Sequence, residues 1–215
     1  MRRVIPGLLA LMLAGASHAG TISVHVTTAD GTPVPEAVIS AQAIGGATST
    51  HVKPGAKALM MEQDKLFMPF VLPIQVGTTV AFPNRDPFRH QVYSFSSAKT
   101  FELKLTGASE GGTVTFNKEG AIPLGCNIHG NMLAYIYVVD TPYFTTTSAM
   151  GMSKLAQVPD GTYAVKVWHP DQRDAQIEAG IVTVSNNDNA DLSVKIELKR
   201  QRTQRKPGAA DETGY

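Results

Sequence analysis

The sequence predicts an all-β protein, and three observations carry that reading. Apolar and polar residues alternate in short runs, as in Ile22-Ser23-Val24-His25-Val26 and Phe101-Glu102-Leu103-Lys104-Leu105, the period of a half-buried strand. Clusters of Gly, Pro, Asn and Asp separate these runs. No stretch repeats apolar residues at the spacing of an amphipathic helix. Short strands of this kind build a sandwich or a Greek-key barrel. The 215 residues are 43% hydrophobic and 17% charged, too apolar for general disorder. A net charge of +1 argues against nucleic-acid binding through bulk charge.

Residues 1–19 read as an export signal. Arg2 and Arg3 form a basic start, residues 4–14 are largely apolar, and Ser17-His18-Ala19 supplies small residues for cleavage. The apolar run falls short of the roughly 20 residues that cross a bilayer. The expectation is a periplasmic protein with no transmembrane segment after cleavage. Residues 20–27 then alternate as a strand, Ala29-Asp30-Gly31-Thr32-Pro33 turns, and residues 34–41 form a second strand. Residues 45–55 are small and polar, a linker. Strands are expected at 58–61, 67–76 and 80–84, with a turn at Gly77-Thr78. A loop at 85–89 leads to His90, and further strands follow at 91–95, 101–105, 114–116 and 133–139. Beyond Asp140 the chain is polar and rich in threonine to residue 151. Strands return at 164–168, 181–184 and 192–198. Lys199, Arg200, Arg202, Arg205 and Lys206 open a basic tail expected to be solvated.

The chemistry concentrates in Gly125-Cys126-Asn127-Ile128-His129-Gly130-Asn131-Met132. Cys126 is the only cysteine. An exported chain with one thiol cannot close an internal disulfide, so burial or metal coordination is expected to protect it. Thiolate, imidazole and thioether within residues 126–132 make most of a soft-metal site. One cysteine is too few for an iron–sulfur cluster, and structural zinc sites rarely use methionine. Cys with two His and a long axial Met is the arrangement of a copper electron-transfer centre. Of the six histidines, His18 leaves with the signal, His25 is on the first hairpin, His51 is in the linker and His169 is in the last third. His90, behind the loop Pro83-Asn84-Arg85-Asp86-Pro87-Phe88-Arg89, is the best-placed second imidazole. Each residue alone has a plainer reading: Cys126 as a small buried side chain, Met132 as core, His129 as surface. The set could also hold another metal. The Met61-Glu62 pair and Met68 are weaker candidates, and His169 beside Trp168 reads as packing.

Residues 56–140 resemble a cupredoxin of the plastocyanin/amicyanin type. The matching pieces are Phe67-x-Pro69, Val76-Gly77-x-x-Val80-x-Phe82-x-Asn84, His90-x-Val92, Gly120, Gly125-Cys126-x-x-His129-x-x-Met132 and Ile136-x-Val138. More narrowly, the sequence is similar to exported proteins labelled methylamine utilization protein. The resemblance implies a Greek-key β-sandwich holding one type 1 copper ion, with His90, Cys126 and His129 equatorial and Met132 axial. It implies a carrier of single electrons rather than an enzyme, with a dehydrogenase or c-type cytochrome as transient partner. The edge of His129 is the expected electron port, within a rim of Pro87, Phe88, Gly130, Asn131 and Leu133. A backbone N–H near Gln91 is the expected donor to the Cys126 sulfur, and Asn84 is expected to brace the His90 loop.

The first hairpin and the run Pro159-Asp160-Gly161-Thr162-Tyr163-Ala164-Val165 resemble two halves of a prealbumin-type, carboxypeptidase-regulatory-like β-sandwich. The expected plan is therefore a signal at 1–19, the first part of an outer module plus linker at 20–54, an inserted cupredoxin domain at 55–140, the rest of the outer module at 141–198, and a basic tail at 199–215. The competing reading is a copper-binding, delivery or partner-recognition protein without redox turnover. An oxidase or reductase would need further metal centres.

Overall fold

The computed structural model describes residues 19–45, 55–173, 176–185 and 188–199. Residues 1–18 of the expected signal, most of the linker and all of the tail beyond Lys199 lie outside the described residues. Every regular element described is a strand. No helix among the described residues is long and apolar enough to cross a membrane.

β1 (Ala19–Thr27) buries every second residue, with Ile22, Val24 and Val26 fully enclosed. It pairs antiparallel with β14 (Met152–Pro159) and parallel with β17 (Asn189–Lys195). A second sheet runs in the order β13 (Tyr143–Thr146), β2 (Val38–Ala43), β15 (Gly161–Trp168), β16 (Ile177–Val184). The two sheets share one buried cluster that includes Ile22, Val24, Ile39, Val165, Val167 and Val184. Strands from the two ends of the chain thus enclose a common core, as two packed sheets do.

The intervening residues build two more sheets. One has the order β10 (Ser109–Phe116), β7 (Thr78–Asn84), β4 (Met61–Gln63), β5 (Leu66–Met68), with β3 (Lys57–Leu59) also on β7. The other runs β6 (Val71–Gln75), β12 (Leu133–Val139), β11 (Gly120–Cys126), β8 (His90–Phe95), β9 (Thr100–Leu105). Phe67, Phe82, Phe116, Ile122, Leu124 and Ile136 fill the space between them, in a cluster that also contains Cys126 and Met132.

Several boundaries differ from the sequence expectation. The strand expected from residue 34 begins at Val38, because Pro33 bridges back to Thr27 and Glu36 takes a φ of 58°. The expected strand at 67–76 is two strands, interrupted at the cis Met68–Pro69 peptide bond. The segment at 58–61 also divides, and the second piece turns sharply at Asp64 and Lys65, whose φ values are 55° and 57°. Two consecutive left-handed residues are the signature of a tight hairpin turn. The threonine-rich stretch carries β13, held because Thr141 Oγ1 donates to Ala41 O at 2.6 Å and Thr147 Oγ1 to Val34 O at 2.7 Å.

A third buried cluster joins the two units. Val38 and Trp168 from the outer sheets meet Val71, Tyr135, Tyr137 and Val139 from the central one. Trp168 stacks on Tyr137 with centroids 4.3 Å apart and planes at 13°, and it meets Tyr135 edge-on at 5.9 Å. Aromatic pairs of this kind contribute about 0.5–1.5 kcal/mol beyond the area they bury.

Candidate metal centre

His90 opens β8 and Cys126 closes β11. The two strands are neighbours, with Cys126 opposite Val92. Residues 127–132 connect β11 to β12 and bring His129 back over the strand ends. Met132 N donates to His129 O at 3.1 Å and closes that turn. The consequence is a triangle of donor atoms. Cys126 Sγ lies 3.9 Å from His90 Nδ1 and 3.9 Å from His129 Nδ1, and the two nitrogens are 3.1 Å apart. His90 and Cys126 are buried, at 1% and 4% exposure, while His129 is half-buried. Met132 is buried in the same core cluster as Cys126. Among the described residues the cluster of His, Cys, Asp and Glu donors comprises His90, Cys126 and His129.

The loop before His90 is fastened from several directions. Asn84 Nδ2 donates to Phe88 O and to Thr106 O, both at 2.8 Å, and its Oδ1 accepts from Asp86 N at 2.9 Å. One buried carboxamide thus satisfies three backbone groups that would otherwise be orphaned. Asp86 is buried as well. Its Oδ2 sits 2.7 Å from His90 Nε2, and its two oxygens accept from Asp64 N at 2.8 Å and Lys65 N at 3.0 Å, the tight turn between β4 and β5. A carboxylate on Nε2 holds the proton there and leaves the Nδ1 lone pair facing Cys126 and His129.

The electrostatics follow from this geometry. Burial pushes the Cys126 thiol up, but the bond to His90 and the backbone N–H groups of Gln91, His129 and Ile128 outweigh it and hold the thiol below its ordinary range. Burial, the His90 charge and the Lys65 charge push His129 down, favouring its neutral form. Burial also disfavours a charge on His90, yet Cys126 and Asp86 outweigh it and raise the group. Burial opposes the Asp86 charge too, and the N–H of Lys65, His90 and the N–H of Asp64 overcome it, so the carboxyl stays below the usual range.

This donor set fits a single soft or borderline cation. Two nitrogen lone pairs 3.1 Å apart repel unless a proton or a cation lies between them. Bonds of about 2.0–2.1 Å to nitrogen and about 2.3 Å to sulfur, spread at about 120°, place sulfur and nitrogen about 3.8 Å apart. The observed edges of 3.9 Å match that separation, while the 3.1 Å nitrogen–nitrogen edge is shorter than the ~3.6 Å that the same bonds and angle give.

An apolar ring and a basic group lie beside the donors. Phe88 is 37% exposed, and its ring lies 5.3 Å from that of His90 and 5.5 Å from that of His129. Lys65 Nζ lies 5.6 Å from the Phe88 centroid. Of the expected rim, Pro87, Phe88 and Gly130 are exposed while Asn131 and Leu133 are half-buried. Ile128, 52% exposed, belongs to the rim and was not anticipated, although an apolar residue between two donors on a loop was a visible signal. His169 is buried in a turn, where its Nδ1 accepts from Asp171 N at 3.1 Å, consistent with the packing role. Asp86 was missed; a carboxylate four residues ahead of a donor histidine was its signal.

Fold and site together define an all-β protein with a cluster of one cysteine and two histidines at the end of one sheet. No protein-family model matches the chain, and no curated protein matches it. Solved structures similar to it are cupredoxins. They include a purple cupredoxin from Nitrosopumilus maritimus, 22% identical over 39% of this chain and 99% of that one, with a TM-score of 0.34. Amicyanin from Paracoccus versutus is 17% identical over 47% of this chain and 97% of that one, with a TM-score of 0.34. A copper-containing nitrite reductase from Thermus scotoductus is 27% identical over 54% of this chain but 28% of that one, with a TM-score of 0.37. Likeness at these TM-scores carries no functional weight; the donor geometry does.

Proposed function

We propose that this is an exported type 1 copper protein that carries single electrons between redox partners. The observation behind the reading is the convergence of His90 Nδ1, His129 Nδ1 and Cys126 Sγ on one point, with edges of 3.1, 3.9 and 3.9 Å. His90, Cys126 and His129 are the main ligands, and Met132 is the weak thioether donor. Copper bound there supplies a one-electron couple whose potential responds to the axial ligand and to hydrogen bonds at sulfur.

The chain's own residues do the rest. The N–H groups of Gln91, Ile128 and His129 stabilise the Cys126 thiolate. Asp86 fixes the ring of His90, and Asn84 fixes the loop that carries both. Donors held this firmly move little when the charge changes, which keeps electron transfer fast. His129 is the half-buried donor, so its edge is the exit toward a partner. Phe88 and Ile128 offer a small apolar surface suited to brief docking. A periplasmic dehydrogenase or a c-type cytochrome is the partner class. Residues 55–140 act as the copper domain, and the strands before and after them act as a prealbumin-like module that carries it.

Copper titration of the purified mature protein tests this. An intense thiolate-to-copper band that bleaches reversibly on reduction is expected. Cys126→Ser should abolish the band, and Met132→Leu should keep it while raising the potential. Tight binding without the band would indicate delivery or storage instead. Absence of copper binding would overturn both readings, and an unchanged spectrum in His90→Ala would remove His90 from the ligand set.

A further inference from the structure

We infer that Glu62 is an additional, oxygen donor to the metal held by His90, Cys126 and His129. The inference rests on the copper reading above and adds a ligand to it.

Glu62 is 0% exposed, and neither of its carboxyl oxygens has a hydrogen-bond partner among the described residues. Buried polar groups in folded proteins are nearly always satisfied, and an orphan calls for an explanation such as an ion. Burial pushes this carboxyl up to about 8. Protonation removes the charge but leaves an O–H and a C=O without partners, so it does not resolve the problem. A cation does.

The position of Glu62 directs it to one cation in particular. Glu62 lies on β4 opposite Asn84 of β7, and its own C=O accepts from Arg85 N at 2.8 Å. Two residues further on, the turn at Asp64 and Lys65 donates both N–H groups to Asp86, the carboxylate that orients His90. The strand carrying Glu62 is therefore fastened on both sides to the His90 loop. The charges that act on its carboxyl are those of His90, Cys126 and Asp86. The carboxylate lies outside the 4.8 Å cluster formed by the three donor atoms. Reaching the metal requires its side-chain torsions to turn, and no hydrogen bond to the carboxyl oxygens opposes that.

An oxygen donor beside two imidazoles and a thiolate changes what the site prefers. Carboxylate is a hard ligand and favours the divalent over the monovalent ion, whereas thioether favours the reverse. Glu62 and Met132 then act in opposite senses on the same centre. On metal entry the carboxyl proton leaves to solvent along with the thiol proton, and the metal–oxygen bond takes its place.

The test uses the full mature protein loaded with copper(II). X-ray absorption of the wild type should count three light-atom neighbours in the first shell, and Glu62→Leu should leave two. Glu62→Gln should bind copper(II) at least about tenfold more weakly, bind copper(I) as the wild type does, and show altered copper(II) hyperfine splitting by electron paramagnetic resonance. Because the orphaned polar atoms are removed, unloaded Glu62→Leu should melt no lower than unloaded wild type. Glu62→Asp should recover part of the copper(II) affinity. Two light-atom neighbours in the wild type, or unchanged splitting and copper(II) affinity in Glu62→Gln, would overturn the assignment. A wild type that shows the thiolate band without a third light-atom neighbour refutes the Glu62 ligand alone. A wild type that binds no copper refutes the copper reading itself.

Discussion

Replacing Asp86 by Asn should loosen the metal centre without touching a donor atom. Three hydrogen bonds end on this carboxylate: His90 Nε2 at 2.7 Å and Lys65 N at 3.0 Å on Oδ2, and Asp64 N at 2.8 Å on Oδ1. An amide keeps only one oxygen. Its NH2 must face either the Asp64 N–H or the Lys65 and His90 donors, so at least one bond is replaced by two opposed donors. A hydrogen bond to a charged group contributes about 1.5–3 kcal/mol, and an orphaned buried N–H costs about 1–3 kcal/mol. Together these are a loss of about 2.5–6 kcal/mol in the unloaded protein. For a chain of this size that lowers the melting temperature by roughly 5–24 °C. Copper affinity should fall about 10- to 100-fold, because the His90 tautomer is no longer held. The sign with pH also follows. The Asp86 carboxyl is held below its ordinary value, so its contribution is present above the unfolded value and is lost as pH falls through the folded one. Asp86→Asn should therefore flatten part of the acid limb. Urea unfolding from neutral to acid pH, beside a copper titration, reads all three. A variant within about 0.5 kcal/mol of wild type, with unchanged copper affinity, would refute the role given to Asp86.

Gly107→Ala should perturb the same centre from the other side, since an added Cβ would collide with the Pro87 carbonyl and force the His90 loop to move. A cost of about 1–3 kcal/mol and weaker copper binding are expected; wild-type affinity would show that the loop yields freely. Trp168→Ala should cost about 3–5 kcal/mol in denaturant unfolding by removing the stack on Tyr137, while leaving the copper spectrum unchanged. A changed spectrum would show that the joint between the units reaches the metal. Burial and the charge of Glu119 push the Tyr137 hydroxyl up to about 12. Its contribution is thus complete below about pH 10 and is lost as pH rises toward the folded value, roughly 2–3 kcal/mol in all. Tyr137→Phe should remove that alkaline decline relative to wild type, and parallel alkaline limbs would contradict it.

The donor loop and the strands around it were legible because both are written locally. Alternation marks Phe101 to Leu105 and the residues after His90, and the Cys126-x-x-His129-x-x-Met132 spacing sits on one turn. His90 could be found because the other histidines lay outside the central strand pattern. What escaped was held by long-range contact. β13 reads as polar sequence, and its pairing with β2, flanked by the hydroxyls of Thr141 and Thr147 reaching back to Ala41 and Val34, makes it a strand. The Asp64–Lys65 turn has neither Gly nor Asn, and its left-handed backbone is stabilised by Asp86, some twenty residues away. Glu62 was grouped with Met61 as a weak metal candidate, because an acid on a three-residue strand gives no sign of which way it points.

The pairing of β2 with β13 has a consequence for how the protein is made. These neighbours in one sheet are separated by the whole central unit. β1 and β2 emerge from the ribosome before the central strands, yet their partners β13, β14, β15 and β17 emerge after them. Closing so long a loop in a disordered chain costs about 4 kcal/mol of entropy. Prior collapse of the central strands shortens the effective loop and reduces that cost. The favoured order is therefore middle first and ends last, with both edges of β1 and of β2 left open until the last strands arrive. β1 and β2 pass that interval unpaired and are the strands most in need of a chaperone.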